Sequence, residues 1–341
     1  MPPENRFYEN LTFTSPAHQA QFEQIQHRPL PVYKHVDSFS LYSLDIEESV
    51  NQYFDAIGWS DFAAIDEPAD YELVFEFYST FYFNRSANTI DTPYAVNFCL
   101  LGVHYSLSIS EFNVALGFVN ENYLATDDYY DSFLDIPPDF DANEALALLT
   151  EMRQISYDPK RCKDIGIHSP ALRYIHRFLA FNFSGRNDAS ASLTRTELFF
   201  LWCMHSGKRV NLGYWFAIQF QHVLRSNRPL ILGTYITRLA SNLNPSAVNF
   251  NSLNLAYKTD SLDTYCLDSM GLLAGTPSFY FVPPGTRTDQ SHRVFRRRHQ
   301  NEPEPPNSVE SRLTQIEEGL DTLRTLVTDV LTHLRDHPPR R

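Results

Sequence analysis

Three helices with clear start and stop signals follow one another between Ile167 and Asn244, and they constrain the fold more than any other stretch. The first begins at Ser169-Pro170, an N-cap residue followed by a proline at the first helical position, where its missing N–H costs nothing. The second begins with the capping box Thr194-x-x-Glu197 and ends at Gly207, a residue that readily adopts the left-handed conformation. We therefore expect a packed helical centre here.

The same region continues with two further helical segments. The third helix is predicted from about Leu212 to Arg225, before Pro229. The segment ILGTYITRLASNL follows and is predicted to be a fourth helix, although its β-branched residues weaken the helical propensity. The fold class that these patterns predict is mainly α (α+β), with two helical lobes.

The first lobe carries the predicted β-structure. VNFCLL, a turn at Gly102 and the alternating HYSLSI predict a β-hairpin within residues 94–110, followed by the capping box Ser108-x-x-Glu111. The aromatic run YELVFEFYSTFYF fits either a buried helix or a strand, and periodicity alone leaves both open. Residues 30–44 are expected to be extended, and Asp45 is expected to cap a helix that ends at Gly58.

Charge divides the chain into blocks. Residues 1–151 hold 25 acidic and 4 basic side chains, a net charge of −21, whereas residues 152–283 hold 7 acidic and 14 basic ones, a net charge of +7. Opposite charges attract at short range, so the two blocks are expected to associate within one molecule or between molecules. The alternative is that the acidic side chains only solvate the first lobe.

These patterns predict five segments: a flexible arm at 1–14, an acidic N-terminal lobe at 15–151, a basic helical lobe at 152–283, a disordered basic and proline-rich linker at 284–307, and a coiled coil at 308–337. Apolar residues in the last segment alternate by four and three, the heptad pattern of a coiled coil. An isolated helix of this length is marginal in water, so we expect homo-oligomerisation in preference to docking on the body. The predicted oligomerisation residues are Val309, Leu313, Ile316, Leu320, Leu323, Val327, Val330 and Leu334.

Arginine and lysine side chains in the basic lobe and linker are the candidate RNA or DNA contacts, because clustered cations neutralise phosphates and release counterions. The linker run RVFRRRHQ could equally be a nuclear address or a solvated charge run. The candidate nucleic-acid-binding residues are Arg173, Arg177, Arg186, Lys208, Arg209, Arg225, Arg228, Arg293, Arg296, Arg297 and Arg298.

Catalytic and metal-binding signatures do not stand out. The sequence contains no GxxxxGK[ST], GxGxxG, HExxH or GxSxG motif, so we predict no enzyme activity and no catalytic residue. The histidines and cysteines of the basic lobe match no standard zinc spacing, and the aspartates of residues 127–135 lack the glycine and closing glutamate of a calcium loop. No cofactor and no metal are therefore predicted.

Targeting signals point the same way. No run of about 18 apolar residues occurs, and the N-terminus lacks a basic region followed by an apolar one. We expect no membrane association and an intracellular location, in the cytoplasm or nucleus, without secretion.

Four stretches carry a family resemblance: RYIHRFLAFNFSGR, TRTELFFLWCM, NLGYWFAIQFQ and LILGTYITRLA. Together they resemble the product of the first open reading frame of Athila-type plant retrotransposons. In the acidic lobe, GWSDF, ELVFEFYSTF and SISEFNVALGF look like the plant transposon protein region found in such elements. The likeness covers roughly residues 45–245.

The resemblance implies a protein of a gypsy-class long-terminal-repeat element, a transposable element of plants. The family supplies no catalytic residue that could be assigned to this chain. Gag-like packaging and envelope-like roles have both been considered for such regions. The chain has no CCHC knuckle, no Asp-[Ser/Thr]-Gly motif, no YxDD motif and no predicted membrane span, which disfavours an envelope role.

The leading hypothesis is a non-enzymatic assembly protein that self-associates through the coiled coil and binds nucleic acid through the basic lobe and linker. A protein–protein adaptor without nucleic-acid binding, a domesticated transposon remnant, is the alternative, and the overall charge of −13 favours it. A hydrolase or transferase without a recognisable motif would need a deep pocket with perturbed titratable groups.

Overall fold

The caps predicted for the helical centre are present in the computed structural model. It describes Leu11 and Phe13 and residues 15–65, 67–86, 89–152, 156–186, 191–246, 260–275 and 278–284. The predicted coiled coil, the linker beyond Pro284 and the first ten residues of the predicted arm lie outside the described residues.

Helices dominate the described residues, and the prediction of a mainly α fold with small β elements is confirmed. The α-helices are α1 (Pro16–Ile25), α2 (Ser38–Ser43), α3 (Glu47–Ile57), α4 (Ser60–Ala63), α5 (Tyr71–Thr80), α6 (Ile109–Ala115), α7 (Glu121–Leu124), α8 (Asp127–Tyr130), α9 (Ala142–Thr150), α10 (Pro170–Asn182), α11 (Arg195–Ser206), α12 (Leu212–Leu224), α13 (Gly233–Leu243) and α14 (Thr264–Ser269). A short 3-10 helix spans Asp164–Gly166. The strands are β1 (Lys34–Val36), β2 (Tyr82–Phe83), β3 (Val96–Leu100), β4 (Val103–Leu107), β5 (Asp260–Leu262), β6 (Leu273–Ala274) and β7 (Tyr280–Phe281).

The predicted N-caps begin the central helices as expected. The Ser169 hydroxyl accepts a hydrogen bond from Leu172 N at 3.3 Å at the start of α10. At the start of α11, the Thr194 hydroxyl accepts from Glu197 N while the Glu197 carboxylate accepts from Thr194 N, which completes the capping box. These bonds satisfy N–H groups that have no partner inside the helix.

One aromatic core joins elements from both predicted lobes. Trp59 lies just beyond Gly58, which ends α3 in the left-handed conformation, and its ring centroid is 4.8 Å from that of Phe200 on α11. The ring centroid of Phe62 lies 5.2 Å from that of Phe178 on α10 and 5.7 Å from that of Phe216 on α12. Edge-to-face aromatic pairs at these separations stabilise beyond the area that they bury.

The predicted hairpin is present and is part of a three-stranded antiparallel sheet in the order β2–β3–β4. Leu101 and Gly102 form its turn with positive φ angles of 56° and 73°. The buried Glu76 carboxylate of α5 accepts a hydrogen bond from Leu101 N at 2.7 Å and another from Gly102 N at 2.8 Å. The aromatic run that sequence left open is therefore a buried helix followed by a two-residue strand.

Two expectations for residues 30–45 are wrong. Ser38–Ser43 forms α2, which Asp37 caps by accepting from Ser40 N at 2.7 Å, so this stretch is only partly extended. Asp45 does not cap α3, since its own φ is 55° and the residue at the N-cap is Ile46, without a side-chain cap bond. Asp45 adopts a positive φ in the turn between α2 and α3. An aspartate just before a helical pattern looks like an N-cap in sequence, which is why it was predicted to be one.

A parallel pair of strands, β1 with β5, joins distant parts of the chain. Lys34 pairs with Asp260 and Val36 with Leu262 in its register. The Lys34 ammonium also donates to the Asp260 carboxylate at 2.6 Å. Such a long-range pairing has no local sequence signal.

Candidate functional site

The basic side chains predicted to contact nucleic acid fall into three structural groups. Arg173 and Arg177 are buried, Arg186 and Arg209 are partly buried in ion pairs, and Lys208, Arg225 and Arg228 are exposed. The remaining four, Arg293, Arg296, Arg297 and Arg298, lie outside the described residues.

Arg173 is inside the protein, where only 1 % of it is exposed. Its Nη1 donates to Val282 O at 2.6 Å, and its guanidinium carbon lies 5.5 Å from the ring centroid of Phe281. Burial lowers the pKa of this guanidinium, against a smaller opposite effect of Asp164. Arg173 therefore fixes the 281–282 segment against α10 and is not on a surface that a nucleic acid can reach.

Arg177 belongs to a buried ion network centred on His176. The Arg177 guanidinium pairs with Asp164 of the 3-10 helix, Nη2 donating to Oδ1 at 3.2 Å. His176 Nδ1 lies 3.1 Å from Asp164 Oδ2, and His176 Nε2 lies 3.4 Å from Glu197 Oε2. The imidazole and both carboxylates are at most 1 % exposed.

Arg186 closes the network on the side of α11. Its Nη2 donates to both oxygens of Glu197, at 2.7 Å and 2.5 Å, and the Ser184 hydroxyl donates to Oε1 at 2.7 Å. Glu197 thus accepts from a guanidinium and a hydroxyl, and also from Thr194 N of the capping box. A buried carboxylate is stable only with such a set of donors.

Electrostatics in the network favour the charged forms. Burial alone would lower the pKa of His176, but the contacts with Asp164 and Glu197 outweigh it and raise that pKa above its ordinary value. Burial would raise the pKa of Glu197, but His176 and Arg186 outweigh it and hold that pKa far below its ordinary value. His176, which lies between two carboxylates, joins α10, α11 and the 3-10 helix, and its burial makes it a structural group.

The basic segment after α11 packs against the acidic, tyrosine-rich stretch of residues 120–140. Arg209 Nε lies 3.6 Å from Asp128 Oδ2, and its guanidinium carbon lies 5.2 Å from the ring centroid of Tyr123. The Lys208 ammonium lies 5.9 Å from the ring centroid of Phe133. Phe133 also pairs with Val210 in a parallel bridge, so charge and backbone hydrogen bonding act together.

A second contact between the oppositely charged blocks is bidentate. Arg238 of α13 donates from Nε and Nη2 to the two carboxylate oxygens of Glu67 at 2.7 Å and 2.8 Å. Together with Arg209 it shows that basic residues of the second block neutralise acidic residues of the first within one molecule. Such planar, paired geometry is the strong form of a charge-assisted hydrogen bond.

The exposed cations are elsewhere. Arg225 and Arg228 follow α12 directly, and Arg28 Nε donates to Arg228 O at 2.7 Å, which anchors the backbone there. A second exposed set, Lys160, Arg161 and Lys163, precedes α10. Sequence reasoning missed this set, although the run DPKRCKD carries a visible basic signal.

Sequence reasoning also missed the partners of the buried cations. Glu197 was identified only as a capping residue, and Asp164 carried no signal apart from its place among basic residues. Within the described ranges, no three histidine, cysteine or acidic side chains converge as a metal site would require. None of the helices in those ranges has both the length and the apolar character needed to cross a bilayer.

These features define a mainly helical protein with an aromatic core and an internal ion network. The sequence pattern of the ATHILA ORF-1 family matches residues 33–204, half of the chain, and the chain belongs to that family. The resemblance predicted from sequence is confirmed, with matched limits that begin and end earlier than the expected 45–245. The protein is therefore of retrotransposon origin, from a family not known for enzyme activity. No curated protein and no solved structure is significantly similar to the chain.

Proposed function

We propose that this chain is a non-enzymatic assembly protein of an Athila-type retroelement, which self-associates through residues 308–337 and binds nucleic acid through exposed cations. The observation that carries the proposal is the heptad pattern, whose apolar positions continue without a break from Val309 to Leu334 in a segment that contains no proline. A helix with one apolar seam needs a partner to bury it.

The nucleic-acid surface that we propose is narrower than the set of basic residues in the sequence. Arg173 and Arg177 are excluded by burial, and Arg186 and Arg209 hold carboxylates of the same chain. Lys208, Arg225 and Arg228 remain in the body, together with the arginines of RVFRRRHQ. Binding through these cations should weaken as the salt concentration rises, with a slope proportional to the number of phosphate contacts.

Light-scattering mass of the full chain and of a chain ending at Pro283 tests both parts of the proposal. Each protein is measured with and without single-stranded RNA, at low and at moderate salt. We expect an oligomeric full chain, a monomeric shortened chain, and salt-sensitive RNA binding that Arg225→Glu with Arg228→Glu weakens. A monomeric full chain would contradict self-association.

A matched pair of variants distinguishes association through the heptad from nonspecific association of apolar side chains. Leu313→Ser with Leu320→Ser removes two seam residues, whereas Leu326→Ser with Leu331→Ser removes two leucines outside the seam. We expect only the first pair to lower the oligomer mass, because only seam residues pack between helices. Equal loss in both pairs would show that the association is not a coiled coil.

The second candidate function is a protein–protein adaptor that does not bind nucleic acid. It is favoured by the net charge of −13 and by the use of Arg186, Arg209 and Arg238 in pairs within the chain. Absence of RNA binding at low salt, with oligomerisation retained, would select this function.

A further inference from the structure

A groove of about 590 Å³ lies between the C-terminal end of α9 and the segment that leads into α10. Its apolar surface comes from Leu146, Met152 and Ile165, and its charged residues are Arg161, Lys163 and Asp158. A volume of this size is in the range that accommodates a ligand or a few peptide side chains.

Backbone hydrogen bonds hold the walls of this groove in place. His168 N donates to Leu149 O at 2.9 Å, which ties the start of α10 to the end of α9. Cys162 N donates to Asp158 O at 2.8 Å, and Lys163 forms an antiparallel bridge with Ser192. The groove is therefore preformed, so little ordering would be needed on binding.

Among the described residues that line the groove, positive charge predominates. Arg161 is exposed and makes no ion pair among the described residues, and Lys163 Nζ donates only to the neutral Ser192 hydroxyl at 2.6 Å. The carboxylate of Asp158 accepts from Lys160 N at 2.9 Å, and the ammonium group of Lys160 adds a further exposed cation beside the groove. A further carboxylate is exposed near the end of α9, where Glu151 Oε2 lies 3.5 Å from His168 Nδ1.

We propose that this groove binds an acidic peptide that carries aliphatic side chains. Carboxylates of the peptide would pair with Arg161 and Lys163, and an aliphatic side chain would lie against Met152 and Ile165. Met152 is 45 % exposed, and its flexible thioether adapts to different aliphatic shapes. Charge complementarity at the rim with apolar contact at the floor is the usual arrangement of a peptide groove.

The composition of the lining favours a peptide over a nucleic acid. None of the described residues that line the groove is aromatic. Proteins that bind single-stranded nucleic acid stack bases on aromatic rings, in addition to pairing cations with phosphates. The described lining of the groove has cations without an aromatic ring on which a base could stack, which favours a peptide.

Fluorescence anisotropy with the full chain tests the proposal. The probe is a labelled peptide of about 18 residues with leucines at helical spacing and glutamates at the other positions. We expect Arg161→Glu with Lys163→Glu to weaken binding at least about tenfold, because both proposed carboxylate partners are reversed. The matched control, Arg225→Glu with Arg228→Glu, changes the net charge equally at another exposed site, and we expect less than about a twofold change there.

Cys162 provides a readout inside the groove. Its thiol is half-buried among the lining residues, so a bound peptide should slow its alkylation by iodoacetamide, followed by mass spectrometry of the chymotryptic fragment. Alkylation of Cys99 should be unchanged by the peptide. A version of the peptide with glutamine in place of glutamate should protect Cys162 less.

Three results would overturn the proposal. Equal loss in both charge-reversal pairs would show nonspecific attraction, and absence of binding at low salt would show that the groove does not take such a peptide. Direct binding of labelled poly(U) that is lost in Arg161→Glu with Lys163→Glu would make the groove a nucleic-acid site. RNA binding that depends on Arg225 and Arg228 alone is compatible with peptide binding at the groove. The peptide proposal can therefore fail while the nucleic-acid proposal holds, and the reverse.

Discussion

The imidazole of His176 and the carboxylate of Glu197 are both fully buried, with Nε2 of the histidine 3.4 Å from Oε2 of the glutamate. Asp164 lies on the other side of the same ring, 3.1 Å from Nδ1. Two carboxylates on opposite sides of one imidazole ring favour its protonated form, because each negative charge stabilises the cation. Because this ring and its partners are buried, its protonation links the stability of the protein to pH.

We expect the free energy of unfolding to fall as pH rises above about 6.5, the ordinary pKa of an unfolded histidine. The folded-state pKa of His176 lies above its unfolded value of about 6.5, so the stabilisation is complete below that value and is lost as pH rises through the folded-state pKa. Glu197 acts in the opposite direction: its lowered pKa contributes stability above the unfolded value of about 4.3. That contribution is lost as pH falls towards the folded-state pKa of Glu197.

Urea unfolding of the His176→Gln protein at several pH values checks this prediction. The variant should be less stable at about pH 6 and should lose most of the decline at higher pH, because glutamine does not titrate. His222→Gln changes an exposed histidine and serves as the control. A decline of the same size in His176→Gln would assign the pH dependence to another group.

Trp59 should be one of the most sensitive core positions. Its indole Nε1 donates to Val210 O at 3.0 Å, and the ring is fully buried against Phe200 and Phe62. We expect Trp59→Phe to lower the free energy of unfolding by about 2–4 kcal/mol, since it removes volume and leaves a buried carbonyl without its donor. Trp202→Phe, at a half-buried ring, should lower the free energy of unfolding clearly less. An equal loss in the two variants would contradict the role of the hydrogen bond from Trp59 to Val210 O.

Gly213 has no room for a side chain. A Cβ there would lie 2.5 Å from Asn113 Oδ1, the atom that accepts a hydrogen bond from Gly213 N at 2.8 Å. We expect Gly213→Ala to destabilise by about 2–3 kcal/mol in thermal and urea unfolding, by displacing a buried amide that also donates to Asn211. Gly166→Ala, where the nearest atom would be Thr150 Cγ2 at 3.8 Å, is the control and should stay within about 0.5 kcal/mol.

Glu76 should control the hairpin between β3 and β4. Its carboxylate accepts from both N–H groups of the turn, and burial, partly offset by these bonds, raises its pKa. Glu76→Ala should lower the free energy of unfolding by about 1–3 kcal/mol, because two turn N–H groups lose their acceptor. Hydrogen exchange at Leu101 and Gly102 should increase in this variant, whereas Glu144→Ala, at an exposed helical position, should leave it unchanged.

Local signals in the sequence were enough to determine the long central helices and the hairpin. Ser169, Thr194 and Ser108 begin helices because their hydroxyl groups satisfy N–H groups within three residues, an interaction independent of the rest of the fold. The capping box, the left-handed glycine and the alternation of β3 with β4 are equally local. The family resemblance also followed from order and spacing of apolar residues.

Only the tertiary structure decided which charges are inside. The spacing of Arg173 and Arg177 placed them on one helix face, but burial of that face depends on Asp164 and on residues 281–282, which come from other elements. A charged side chain is buried only where residues from other parts of the chain pair with it, and such long-range contacts produce no periodic pattern in the sequence. The pairing of β1 with β5 and the groove beside Arg161 arise in the same way, from segments that are brought together only by folding.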